Sequence, residues 1–301
     1  MKDLNNKITY TGNKHYERII LTNNCNLRCK YCFQTFKKHD LLSYENLSKR
    51  IELLNYRLND IDNLSLNLFG GEPLLNWNGF SFILDEFKNN KKVNLSTITN
   101  GTLLNEERIR YLSEFDNFSL DLSMDGNKFG NSWRIIGNEN SFDNLLNNLI
   151  LFNKFNIMYK IRMTVGKFNV MYVLDSLKMF DSIGVKTVYI QCVSFPEQQQ
   201  LDQNEIDLIL SYKDLFSNMK VEYFGTNCKV QSYKQSDRWY ITQPNGVTYS
   251  YMQCESLGVL DSKMYQISYD EDLSYTNIID ILDLNDLRYK VLKEENDNEQ
   301  L

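Results

Sequence analysis

The stretch Cys25-Asn26-Leu27-Arg28-Cys29-Lys30-Tyr31-Cys32-Phe33 decides how the chain is read. It sets three cysteines within eight residues, with three and then two residues between them, directly after the apolar run Ile19-Ile20-Leu21. Three thiolates on one tight loop suit an iron–sulfur cluster, because each can reach a different iron. With only three local ligands, one iron of a four-iron cluster stays open to a substrate or cosubstrate. The alternative is a structural zinc site built on Cys29 and Cys32 and completed by His39 or a distant cysteine. Zinc sites normally show a second paired half-site, whereas Cys192, Cys228 and Cys254 stand alone and far apart. A thioredoxin-like redox pair at Cys29 and Cys32 would need a compact βαβ context that the surrounding sequence lacks.

Around that loop the chain alternates between two periodicities. Residues 17–22 read as a first strand that delivers the cysteines. Ser43 caps a helical stretch to Leu58, with Leu47, Ile51, Leu54 and Leu58 at helical spacing. Leu64–Phe69 alternates as a strand and runs into Gly70-Gly71-Glu72-Pro73, where two glycines let the backbone approach a ligand and the proline stops the strand. A helix follows over 79–89. Val93–Ile98 is a third strand, ending in Thr99-Asn100-Gly101. Asn105 then caps a helix whose first turn carries Glu106 and Glu107, which complement its dipole. Phe118–Ser123 is a fourth strand ending in Met124-Asp125-Gly126. Helix 142–154, strand 158–165, helix 170–183 and strand 186–193 complete the series. Six such alternations argue for parallel βα units that close fully or partly into a barrel. In such folds ligand chemistry collects at the C-terminal strand ends. The cysteines, the Gly-Gly-Glu-Pro run, the Thr-Asn-Gly turn and Ser123-x-Asp125-Gly126 all fall at such ends.

The bulk properties agree with one large domain carrying a small appendage. The chain has 301 residues, is 42% hydrophobic and carries a net charge of −6 with both signs mixed along it. No sustained basic patch marks a nucleic-acid or membrane surface. No apolar run reaches the length of a membrane span and the first residues lack the apolar core of a signal peptide, so a cytoplasmic location is expected. Six cysteines in a chain this long do not make a disulfide scaffold. The only histidines, His15 and His39, lie outside the segments read as core, which disfavours a histidine general base.

The motif C-x3-C-x-aromatic-C resembles the signature of the radical S-adenosylmethionine (SAM) enzymes, and the resemblance extends over about residues 17–195. It implies a partial (βα)6 barrel in an α/β fold. It also implies a [4Fe–4S] cluster on Cys25, Cys29 and Cys32 whose open iron chelates SAM, and a SAM-derived 5′-deoxyadenosyl radical that takes hydrogen from a substrate. Gly70, Gly71, Glu72 and Pro73 match the segment whose backbone and Glu meet the SAM amino group. Thr99 and Asn100 match a segment near the methionine and ribose. Ser123 and Asp125 match residues that approach the same parts of SAM. Arg134 stands where an arginine often pairs with the SAM carboxylate, the alternative being a solvated surface residue. Tyr31 would lie beside the adenine, with Arg162 and Thr164 as further SAM-side candidates. Cys192 is the candidate catalytic residue, placed to donate hydrogen or ligate a second cluster at the barrel mouth. The base rate for a buried cysteine favours a small apolar filler over that role. Asp121, Tyr189 and Gln191 are further places to look for substrate chemistry.

The expected divisions are a lead-in at 1–16, the barrel at 17–200, an extension at 201–262, and a C-terminal helix (278–292) with an acidic tail at 263–301. The extension opens with an amphipathic helix over 203–218. It continues with a hairpin of Trp239–Thr242 and Val247–Tyr251 joined through Pro244-Asn245-Gly246. It resembles a degenerate SPASM or twitch module, a type of extension found on peptide-modifying radical SAM enzymes. The cysteine expected after the hairpin is replaced by Tyr251, and Leu257–Leu260 resembles the stretch that often follows. Cys228 and Cys254 are too few for an all-cysteine auxiliary cluster unless Cys192 or another group joins, so a module without a cluster is expected. The resemblance implies a peptide or protein substrate and a flavodoxin- or ferredoxin-like electron donor. A radical SAM enzyme acting on a small molecule or activating a glycyl-radical enzyme is the alternative. A non-catalytic iron–sulfur sensor and a zinc-binding interaction protein remain as readings from other classes.

Overall fold

The computed structural model describes residues 14–32, 39–59, 61–136, 139–193, 196–224, 238–242, 244, 248–250 and 266–267. Its frame is a run of strands each followed by a helix. The elements are β1 (Lys14–Thr22), α1 (Tyr44–Arg57), β2 (Asn63–Gly70), α2 (Trp77–Phe87), β3 (Val93–Thr99), α3 (Glu106–Leu112) and β4 (Phe118–Ser123). Next come a two-stranded ribbon, β5 (Ile135–Ile136) and β6 (Glu139–Asn140), then α4 (Phe142–Lys154), β7 (Tyr159–Val165), α5 (Val173–Ser182) and β8 (Thr187–Cys192). Strands β1, β2, β3, β4, β7 and β8 are neighbours in that order and all parallel. This is the partial (βα)6 barrel of an α/β fold. It does not close, because the outer edges of β1 and β8 each pair with a further strand.

Local chemistry sets the element ends. Ser43 Oγ accepts from the Asn46 amide at 3.2 Å and starts α1, and Asn105 Oδ1 accepts from the Arg108 amide at 2.9 Å and starts α3. Strands bury alternate residues, as the period of two requires: Leu64, Leu66 and Leu68 of β2 face the helices and are fully buried. Phe80 and Phe87 of α2, Phe152 of α4 and Phe180 of α5 fill the space between helices and sheet. The opposite sheet face carries polar residues. Arg18 Nε donates to Asn67 Oδ1 at 3.2 Å, and Asn67 Nδ2 donates to Ser96 Oγ at 3.0 Å, linking three adjacent strands.

Three features differ from the sequence expectation. First, β1 starts at Lys14, inside the expected lead-in. His15, expected outside the core, is 1% exposed, and its Nε2 lies 3.4 Å from Glu17 Oε2. Glu17 is buried too and takes a bidentate contact from Arg50 of α1. A buried ion pair inside a strand carries no apolar periodicity, so hydropathy hides it.

Second, the βα alternation continues past residue 200. Helix α6 (Gln203–Ser211) is shorter than the helix expected to 218; it opens with a capping box of Asp202 and Glu205. It leads to β9 (Lys220–Phe224), a seventh parallel strand beside β8. The first part of the expected extension is therefore continuous with the barrel sheet.

Third, the hairpin belongs to the same sheet. Strand β10 (Arg238–Thr242) pairs parallel to β1, with Thr242 opposite Ile19, and β11 (Thr248–Ser250) turns back against β10 in antiparallel register, Tyr240 opposite Ser250. A short β12 (Gln266–Ile267) pairs with β11. Cys228, Tyr251, Cys254, the 257–260 stretch, the expected helix over 278–292 and the acidic tail lie outside the described residues.

Candidate active site

The cysteine loop leaves β1 at Thr22 and is tied at both ends. The Thr22 hydroxyl donates to the Asp40 carbonyl, and the Asp40 carboxylate accepts from the Asn23 amide at 2.7 Å and from Asn23 Nδ2 at 2.8 Å. Within the loop, the Arg28 amide donates to Ile135 O at 3.0 Å and the Lys30 amide to Trp133 O at 3.2 Å. The cysteines are therefore laced to the segment that carries Arg134. Cys25 is buried, while Cys29 and Cys32 are half-buried, and none of the three is in a disulfide. Burial pushes the Cys29 thiol pKa up, and the nearby Arg134 guanidinium acts against that shift.

The Gly70-Gly71-Glu72-Pro73 turn packs against the start of this loop. A β-carbon on Gly70, whose φ is +154°, would lie 2.3 Å from Thr22 O, and one on Gly71 would lie 2.3 Å from Asn24 O. Gly71 N donates to Thr22 O at 2.9 Å, and Glu72 N donates to Asn24 O at 2.8 Å. The close approach expected toward a ligand is thus, on the Cβ side of these glycines, an approach to the chain's own backbone. The Glu72 side chain is fully buried. It accepts from Leu74 N at 3.0 Å, Thr99 Oγ1 at 2.7 Å and Asn100 N at 2.7 Å. Burial raises its pKa, and these donors oppose the shift. Glu72 therefore ties the second strand end to the third.

At the third strand end, Asn100 Nδ2 donates to Asn26 Oδ1 at 2.9 Å and lies 3.8 Å from Cys25 Sγ. Asn26 Nδ2 donates to Thr102 Oγ1 at 2.8 Å. The Thr-Asn-Gly turn thereby grips the cysteine loop, a role that Asn-Gly as a turn signal does not reveal.

At the fourth strand end, Asp125 is fully buried. Its Oδ1 accepts from the Thr164 amide of β7 at 3.0 Å, and its Oδ2 accepts from the Tyr31 hydroxyl. Arg134 Nη1 donates to the same hydroxyl at 2.5 Å and stands 3.7 Å from Asp125 Oδ1. Burial raises the Asp125 pKa against the pull of Arg134. Ser123 is half-buried, with Arg162 opposite it on β7. Arg134 is not the solvated residue of the alternative reading, being 7% exposed.

The sequence reading missed the residues that hold these loops together. Asn131 Oδ1 accepts from Asp125 N at 3.0 Å, and its Nδ2 donates to Ser141 Oγ at 3.0 Å. Asn169 is fully buried; its Nδ2 donates to Thr164 O at 2.9 Å and its Oδ1 accepts from Gly166 N at 2.9 Å. An asparagine in an asparagine-rich chain carries no signal until its partners are known.

On the polar sheet face, Arg162 Nε donates to Asp121 Oδ2 at 2.7 Å, and Tyr189 sits opposite Arg162 in register. Cys192 is a buried residue at the end of β8. The alternation of β8 sets it on the helix-facing side with Val188 and Ile190, 3% exposed, with Sγ 3.2 Å from Tyr223 Oη. Gln191 has the parity of the polar face. The sulfur packs beside the tyrosine of β9 rather than into the barrel mouth.

The donor set suits a cluster and an anionic cosubstrate. Among the described residues, no three His, Cys, Asp or Glu side chains gather around a single metal position; a four-iron cluster does not require that, since each thiolate binds a different iron. His39 Nδ1 is engaged 3.0 Å from Asn24 Nδ2. Arg134 Nε is buried with no hydrogen-bond partner among the described residues, an orphaned cationic donor beside the cysteine loop that an anionic group would satisfy.

The family model described as "Radical SAM superfamily" matches residues 19–196, more than half of the chain. Among curated proteins, a "Radical SAM cyclopropyl synthase TigE" from Paramaledivibacter caminithermalis is 34% identical over 116 residues, 33% of this chain and 25% of that protein. A "GTP 3',8-cyclase" from Aliarcobacter butzleri is 27% identical over 235 residues, 74% of this chain and 69% of that protein. The chain thus spans about a quarter of the length of the first of these relatives. Among solved structures, "native anSMEcpe with bound AdoMet and Cp18Cys peptide" superposes with a TM-score of 0.69 at 21% identity, covering 87% of this chain and 79% of that one. The likeness is one of fold. Among the described residues no helix is long and apolar enough to cross a membrane.

Proposed function

The chain belongs to the radical SAM superfamily, and we propose that it is a peptide- or protein-modifying enzyme of that superfamily. A [4Fe–4S] cluster and SAM are the superfamily's cofactors; when bound and reduced they supply a 5′-deoxyadenosyl radical that abstracts hydrogen from a substrate. In this reading Cys25, Cys29 and Cys32 hold the cluster. Gly70, Gly71, Glu72, Pro73, Thr99, Asn100, Ser123, Asp125, Arg134 and Tyr31 form the SAM shell. Glu72 acts there by bracing the second and third strand ends, and Arg134 by presenting its free Nε to a carboxylate. A flavodoxin- or ferredoxin-like protein supplies the electron.

The observation that carries the cofactor part is the orphaned Arg134 Nε beside three cysteines on one loop. The substrate part rests on the β10–β11 hairpin docked on β1, which extends the barrel as a SPASM-like module would, and on the fold likeness to a structure that holds a peptide. The exposed polar sheet face supports it, offering Arg162 and Asp121 to a hydrogen-bonding substrate. The extension is read as a module without an auxiliary cluster. A small-molecule substrate is the second reading, favoured by the cyclase relative.

The test is anaerobic reconstitution with iron and sulfide, followed by incubation with SAM and dithionite. Wild type is expected to hold four irons per chain and to form 5′-deoxyadenosine, and the triple variant C25A/C29A/C32A to hold none. Two probes then divide the readings: a short peptide encoded beside the gene, and GTP. A mass change in the peptide coupled to 5′-deoxyadenosine supports the proposal. Turnover of GTP with the peptide unchanged overturns it.

A further inference from the structure

Tyr31 sits between the second and third cysteines of the loop, yet its hydroxyl is spent on neither solvent nor its own loop. It donates to Asp125 Oδ2 and accepts from Arg134 Nη1 at 2.5 Å. Those partners lie 94 and 103 residues away along the chain. Arg134 and Asp125 also face each other directly as a buried ion pair at 3.7 Å, and the hydroxyl adds a hydrogen-bonded bridge between cation and anion.

Each end of this bridge is fixed independently. Asp125 is held from β7 through the Thr164 amide and from its own loop through Asn131. The Arg134 main chain is held by Asn131 O at 3.1 Å and by the Ser141 amide at 3.4 Å. The phenol ring is held separately: it stacks on Phe168 with centroids 5.8 Å apart, and Phe168 stacks on Trp133 at 4.1 Å. What main chain and ring leave open is where the guanidinium points, and the Tyr31 hydroxyl sets that together with the Asp125 carboxylate.

Arg134 Nε is left buried and unpartnered by this arrangement. A buried cationic donor without a partner is costly, so its persistence marks a site for an anion. We propose that the Tyr31 hydroxyl is a positioning group for SAM: it clasps Arg134 to Asp125 and so leaves Nε unpaired for the carboxylate of SAM. Any aromatic residue serves the stacking; only tyrosine supplies a hydroxyl that donates to a carboxylate while accepting from a guanidinium. Tyr31 acts through Arg134 and need not touch SAM.

The inference rests on the reading of Cys25, Cys29 and Cys32 as cluster ligands, and the experiment separates the two. Reconstituted wild type, Y31F, R134Q and the double variant Y31F/R134Q are compared for iron per chain and for SAM affinity by calorimetry without substrate. If wild type holds no cluster, the cofactor reading fails first. The expected result is four irons per chain in wild type and Y31F, with the SAM Kd raised roughly tenfold by Y31F, the scale of one hydrogen bond to a charged group. In the R134Q background Y31F should cause no further change, because the hydroxyl then has nothing to aim. An unchanged Kd in Y31F, or additive effects in the double variant, overturns the proposal. Should Y31F fail to take up iron, the apo chains decide: the Arg134 15Nε–H resonance shifts in Y31F if the clasp is real, and stays in place if it is not.

Discussion

The Glu72 carboxylate accepts a hydrogen bond from the Asn100 main-chain nitrogen at 2.7 Å, joining the turn after β2 to the turn after β3. With Thr99 Oγ1 and Leu74 N also donating to it, this carboxylate takes three hydrogen bonds from the protein before any ligand arrives. E72Q would place an amide NH2 where an oxygen accepts, leaving at least one buried donor unpaired. The apo chain should lose about 1–3 kcal/mol of stability in urea unfolding. An unchanged apo midpoint would mean that Glu72 acts only on a ligand.

Gly71 should tolerate no side chain. The 2.3 Å approach of its β-carbon position to Asn24 O is a clash with main chain, which cannot rotate away. G71A is expected to lose about 1–3 kcal/mol and to shift the start of the cysteine loop. The check is iron per chain after reconstitution, which should fall well below wild type.

The strand that anchors the C-terminal hairpin is held by a buried polar cluster. Thr242 Oγ1 of β10 donates to Glu17 Oε1 at 2.9 Å, and Glu17 is paired with Arg50 of α1. T242V removes that hydrogen bond, costing about 1 kcal/mol. Hydrogen exchange should quicken at β10 amides and stay slow in β2 and β3. R50A leaves Glu17 buried without its cation, and the expected loss is about 3–5 kcal/mol.

The same cluster makes stability depend on pH. Burial lowers the His15 pKa below its usual 6.5, and Arg50 and His15 hold Glu17 well below the usual carboxylate value of 4.5 despite its burial. For both groups the unfolded chain binds a proton that the native chain lacks. Stability is therefore present above the unfolded-state pKa and is lost as pH falls. The contribution of this cluster to the urea midpoint should drop as pH goes below 6.5 through His15, and drop further below 4.5 through Glu17. H15Q should flatten the first part alone. Burial raises the pKa of Glu72 and of Asp125, which works in the opposite sense, so the His15 contribution is read as wild type minus H15Q, and a difference that rises on acidification would contradict it.

Cys192 should be dispensable for iron. Its sulfur is buried on the helix-facing side against Tyr223, so C192A should leave iron per chain unchanged and cost some packing energy. Loss of iron in C192A would return it to the list of ligands.

Much of the frame was legible because it is written locally. Apolar residues at period two and period 3.6 marked the six strands and their helices, Ser43 and Asn105 marked helix starts, and the cysteine spacing marked the loop. Helix α4 runs over the residues its pattern predicted. The local pattern was weaker at β9, which is short and carries Lys220 and Glu222, and at His15 and Glu17, where a polar pair occupies core positions.

By itself, then, the sequence determined the order of strands and helices, the family resemblance, and the convergence of its motifs at one end of a parallel sheet. How those motifs are used was set by contacts that form on folding. Folding turned the two glycines toward Thr22 and Asn24, spent Glu72 on Asn100, set Cys192 on the helix side, and laid β10 against β1. The reason is sequence distance. The contacts of Tyr31 with Asp125 and Arg134 span 94 and 103 residues, and that of Glu17 with Thr242 spans 225. Propensity and periodicity act over a turn or a strand, whereas partners so far apart are chosen only when the strands are brought side by side.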